Sequence, residues 1–224
     1  MDSTISAEIL DTISTFAYGK EDLDTLVGWL HTKEFELQRG QKQKIMLAVC
    51  KSGAYEEHKK QEIIDSIMAN EKTDDILIEK QMTCRASRPD GQIKKQVWSQ
   101  ITADPTGISA VQQEALLSGF YEWGQEDLLE PYVAQYFSVL TDKGFYGAKS
   151  YKYLKEFVKG LLPRQKEVTE ADIAKMQKVL DTIPQQDPNV SQAYIKLLQE
   201  GVELMQRTKR LRDFAASKYE KEHK

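Results

Sequence analysis

The side chains able to do chemistry are few and scattered. Three histidines stand at His31, His58 and His223, none four residues from another, and the chain contains no H-E-x-x-H. A zinc site needs three or four nitrogen, sulfur or oxygen ligands converging on one point, and this spacing supplies none. Cys50 and Cys84 are far apart and form no C-x-x-C, so they are expected to be reduced, half-buried thiols in a cytoplasmic protein. No G-x-G-x-x-G, G-x-x-x-x-G-K-[ST] or G-x-S-x-G occurs, which leaves nucleotide cradles and nucleophile elbows without support. The acidic pairs Glu21-Asp22, Asp74-Asp75 and Glu126-Asp127 fall where helices should start, and there they complement the helix dipole. No catalytic residue and no metal ligand is therefore expected.

Binding chemistry is concentrated between residues 84 and 137. Arg85 and Arg88 offer planar guanidinium groups suited to a peptide carboxylate or an acidic surface, or to a salt bridge at a helix end. Lys94 and Lys95 follow on the next helix, either solvated or part of an interface. Trp98 reads as core beside Ile93, Val97 and Ile101. Tyr132, Tyr136 and Phe137 read as helix packing or as a tyrosine-lined groove for a peptide. Arg85, Arg88, Lys94, Tyr132 and Tyr136 are the candidate peptide- or domain-interface residues.

The elements that must position these groups are helical throughout. Apolar residues recur at helical spacing in Ile9, Ile13, Phe16 and Ala17, closed by Gly19. They recur in Leu23, Leu26, Val27 and Leu30, and in Ile45, Met46, Val49 and Cys50. Ile63, Ile64 and Ile67 follow the run Glu56–Lys60, which reads as solvated, and a fifth helix covers Ile76 to Cys84. Pro89 and Asp90 punctuate the next start. Pro105 and Gly107 break that helix, and Ser109 with Gln112 fits a capping box before Val111, Ala115 and Leu116. Pro131 predicts a helix start or kink at 129–131. A helix over 148–162 should end at Pro163. Thr169 and Asp172 fit a second capping box, with Val168 placed to staple Ile173. Pro184 and Pro188 should separate a last helix running through Ile195, Leu198, Val202, Met205 and Leu211.

The pattern gives about eleven helices with short connections and no convincing strand. Short-linked helices pack as antiparallel pairs, and a series of pairs builds an irregular α-solenoid, here without a fixed repeat. No linker rich in Gly, Pro or Ser interrupts residues 1–224, so a single helical-repeat domain is expected, its last residues frayed. The 224 residues carry a net charge of −4, which argues against nucleic acid, and no apolar run approaches the ~20 residues of a membrane span.

Residue order adds what periodicity cannot. Ile63-Ile64-Asp65 and Asp74 come first, then Arg85-Ala86-Ser87-Arg88-Pro89, then Lys94, Lys95 and Trp98. Gly119-Phe120, Gln125 to Tyr132, Tyr136-Phe137 and Leu161-Leu162-Pro163 follow. This order resembles the C-terminal helical domain of zinc aminopeptidases of the aminopeptidase N family. The resemblance implies a wall that covers a catalytic domain and encloses the peptide cavity. It implies no catalysis by this chain, because the family's H-E-x-x-H and G-A-M-E-N segments are absent from it. Zinc is expected only in a parent catalytic domain. The expected partner is that domain of the same polypeptide, if Met1 starts an excised domain, or otherwise a protein or peptide bound by a free-standing adaptor.

Overall fold

A computed structural model describes residues 3–32, 36–69, 74–103, 107–163 and 167–222. The expectations for Met1, Pro105, His223 and Lys224 lie outside them. The described residues form twelve α-helices and no strand. The protein is all-α.

The chain divides into two compact units. The first contains residues 1–98 and 111–122, the second residues 99–110 and 123–224. In the first, α1 (Ser3–Phe16), α2 (Lys20–His31), α4 (Glu57–Met68) and α5 (Asp74–Ser87) pack against α3 (Arg39–Lys51). Burial of α3 on several sides explains why Ile45, Met46, Ala48, Val49 and Cys50 are almost completely hidden. α6 (Gly91–Thr102) starts in this unit, and α7 (Ala110–Phe120) lies almost wholly within it.

In the second unit, α12 (Gln192–Glu222) packs on α10 (Tyr151–Gly160) and α11 (Glu170–Gln186), and α8 (Glu126–Leu140) contacts α11 and the short α9 (Lys143–Ala148). Its core gathers Leu129, Tyr136, Leu140, Phe157, Met176, Ile183, Leu198 and Met205.

Local signals explain several helix starts. Asp90 Oδ1 accepts from the Gln92 and Ile93 amides, at 2.8 and 2.9 Å, and so opens α6. Thr169 and Asp172 form the reciprocal capping box of α11. α7 begins directly after Ser109.

Several expectations are corrected. Cys50 and Cys84 are joined in a disulfide with Cα atoms 5.4 Å apart, and both are fully buried. The inference of a reducing compartment from unpaired thiols falls with this bond. Of the start or kink expected at 129–131, the start is overturned: α8 begins at Glu126 and contains Pro131, because Gln125 O already accepts from the Leu128 and Leu129 amides before the proline is reached. α11 likewise passes Pro184, and the Asp187 amide still closes on Ile183 O at 2.8 Å. The helix expected over 148–162 is α10, with α9 before it.

In α1 Leu10 and Ser14 are buried, as is Ala17 just after it, and Ile9 and Phe16 are exposed. The Ser14 hydroxyl donates to Leu10 O at 2.6 Å, so this small polar side chain can face inward. Lys60, expected in a solvated run, is buried on α4, and Lys94 is buried on α6. Val111 and Leu211 are exposed, and α12 is helical to Glu222.

Candidate functional site

The last four carbonyls of any α-helix lack an intrahelical partner. A left-handed glycine after the helix is a common remedy. Among the described residues only Gly107 and Gly124 have positive φ, and neither directly follows a helix. At several helix ends side chains from other helices supply missing donors.

The clearest case is Lys94. Asp90 opens α6, so Lys94 falls in its first turn on the stripe shared with Val97, Trp98 and Ile101. Its ammonium donates to Ala86 O at the end of α5 and to Phe120 O at the end of α7, both at 2.7 Å. It also lies 5.4 Å from the centre of the Phe120 ring. Burial lowers the Lys94 pKa to about 8, although the Glu122 carboxylate opposes that shift. The positive charge meets the negative ends of two helix dipoles.

The neighbouring positions fit the same junction. Gly119 has room for no side chain, since a Cβ there would run into the Thr83 carbonyl oxygen. α7 therefore approaches α5 closely, and Thr83 Oγ1 reaches Ala115 O at 3.2 Å. Phe120 supplies the carbonyl for Lys94, and its ring packs against Trp98 with centroids 5.5 Å apart. The Cys50–Cys84 bond ties α3 to α5 one turn upstream.

Lys51 repeats the device at the end of α1. Its ammonium donates to Thr15 O at 2.7 Å and lies 4.8 Å from the Tyr18 ring centre. Burial pushes the Lys51 pKa down and that of half-buried Glu122 up, while the Lys51 and Lys94 charges act on Glu122 in the opposite sense. The spacing pattern gave no warning of Glu122.

Arg85 stands in the last turn of α5 and Arg88 just after it, and both are partly exposed. Arg85 donates to Gln96 Oε1 at 2.8 Å. Arg88 pairs with Glu57 and makes a long contact of 3.4 Å to Gln61, while its Nε is buried without a partner.

Tyr132 and Tyr136 belong to the second unit and are buried in α8. The Tyr136 hydroxyl donates to Val158 O in the last turn of α10 at 2.7 Å, and its ring stacks on Phe157 at 5.8 Å. Burial raises the Tyr132 pKa. Two further tyrosines do what Tyr136 does. Tyr153 donates to Ile101 O at the end of α6 at 2.6 Å, and Tyr194 to Leu140 O at the end of α8 at 2.8 Å. A tyrosine on the apolar stripe of its helix is the sequence signal for this role, because a buried phenol must find an acceptor.

Among the described residues no three His, Cys, Asp or Glu side chains gather as a metal site would require. No described helix is long and apolar enough to cross a membrane.

These features define an all-α protein in which buried Lys94, half-buried Lys51 and three buried tyrosines cap the ends of helices. No family model matches the chain. Over 81 residues, or 36% of its length, it is 32% identical to Aminopeptidase N of Streptomyces lividans. That stretch is 9% of the relative, so the chain spans a small fraction of it. The match supports a relation to aminopeptidase N over about a third of this chain.

Proposed function

We propose that the chain is a non-catalytic, C-terminal helical domain of an aminopeptidase N-like zinc peptidase. The observation that carries the proposal is the 32% identity to Aminopeptidase N over 81 residues. The all-α fold agrees with it, as does the ordered series from Ile63 to Phe137. In this reading stacked helix pairs wall off the peptide cavity of a catalytic domain, and closure excludes water and folded proteins. Zinc and the reacting groups belong to that other domain.

Contact with the catalytic domain or the peptide falls to Arg85 and Arg88, which are partly exposed although they also bond Gln96 and Glu57, whereas Lys94 and Tyr136 are buried on internal carbonyls and Tyr132 is buried. A guanidinium at this turn suits a carboxylate of either partner.

The test is hydrolysis of aminoacyl arylamides by the purified chain, with and without added zinc. No turnover is expected. Turnover that a chelator abolishes would overturn the non-catalytic assignment.

A further inference from the structure

The two halves of α12 differ sharply. Tyr194, Leu197, Leu198, Val202 and Met205 are buried within the second unit. From Arg210 to Tyr219 every residue is exposed, including Leu211 at 59%, Phe214 at 61% and Tyr219 at 65%. A helical segment this short is marginal in water without tertiary packing, so three large apolar side chains on it need an explanation.

Charge supplies one. Seven basic and three acidic side chains give residues 207–224 a net charge of +4. The whole chain carries −4, which leaves −8 on residues 1–206. The basic groups also mix with the apolar ones. Arg207, Leu211, Phe214 and Lys218 stand at i, i+4, i+7 and i+11, which is one stripe of a helix. Lys218 lies over the Phe214 ring at 5.5 Å. A helix lying on lipid separates its apolar face from its basic face. A stripe that interleaves them fits a protein surface where carboxylates flank apolar side chains.

We propose that the arm formed by Arg207–Glu222 docks on the acidic body of a second copy of this chain, and that the two copies exchange arms reciprocally. Opposite net charges favour arm against body, and like charges disfavour arm against arm. A reciprocal exchange makes a closed two-fold contact and leaves no arm uncovered. The inference does not depend on the aminopeptidase reading.

Sedimentation velocity of the full chain tests it, at about 0.1 M and about 1 M salt, where the screening length falls from ~10 to ~3 Å. A dimer is expected at the lower salt, with dissociation at least tenfold easier at the higher. The double variant Leu211→Asp, Phe214→Asp should be monomeric with the thermal melting of the remaining helices unchanged, since both side chains are exposed and touch no core. Carbodiimide cross-linking of mixed isotope-labelled copies should join Lys218 of one copy to carboxylates within residues 1–206 of the other. A chain that stays monomeric at every concentration overturns the proposal. So does a dimer that the double variant leaves intact, or binding to anionic phospholipid vesicles without self-association.

Discussion

Replacing Lys94 by methionine isolates the Lys94 junction. The variant keeps most of the side-chain volume and removes the donor, so Ala86 O and Phe120 O lose the ammonium that both accept from. An orphaned buried carbonyl costs about 1–3 kcal/mol, so the two together cost about 2–6 kcal/mol. Loss of a buried charge acts the other way. Burial lowers the pKa from 10.5 to about 8, which corresponds to about 3 kcal/mol for keeping the ammonium charged in the native state. At pH 7 the two effects partly cancel, and the variant should fall between about 1 kcal/mol more stable and about 3 kcal/mol less stable than the wild type.

The pH dependence distinguishes them. Because the native pKa lies below the unfolded one, the native protein sheds this proton first. Between about pH 8 and 10.5 the unfolded chain therefore binds more protons, and stability from Lys94 rises with pH. The Lys94→Met variant has no such contribution, so the wild-type advantage in urea denaturation should widen by about 2–3 kcal/mol from pH 7 to pH 10. NMR titration of the Lys94 Cε in the wild type should show a midpoint near 8. A constant or shrinking advantage would refute the reasoning, because hydrogen bonding would then be holding the charged form more strongly than burial opposes it.

Gly119→Ala should destabilise the protein more than Gly201→Ala, since the added methyl meets the rigid Thr83 carbonyl in one case and the movable end of Met176 in the other; paired thermal melts decide this. Reducing the Cys50–Cys84 bond, which closes a loop of sequence separation 34, should cost about 3–4 kcal/mol. Denaturation with and without reductant measures that loss, and a thiol reagent should find no free cysteine in the native protein before reduction. Tyr136→Phe should cost about 1–2 kcal/mol by leaving Val158 O without the phenol, with the helical content unchanged by circular dichroism.

Much of the architecture was legible because apolar size and helical phase agree where packing is ordinary. Leu23 with Leu26, and Ile63 with Ile64 and Ile67, are buried where their spacing puts them. Asp90 and Thr169 open the helices they were expected to cap. Three of the failures are of one kind. Hydropathy marks Ser14, Lys60 and Lys94 as surface residues, yet each lies on an inward stripe. Ser14 and Lys94 can do so because they donate to a backbone carbonyl there. Lys94 was recoverable from phase alone, since it stands seven residues before buried Ile101. The exposed arm was not, because Leu211 continues the apolar spacing of α12 beyond the point where packing stops.

The central claim concerns the polypeptide to which this sequence belongs. Antibodies raised against the 25.7 kDa chain can isolate the native protein, whose intact mass and arylamide-hydrolysing activity can then be measured. The account predicts a much heavier polypeptide with peptidase activity that a chelator removes and zinc restores. A native protein of 25.7 kDa with no such activity, alone or in complex, would contradict it.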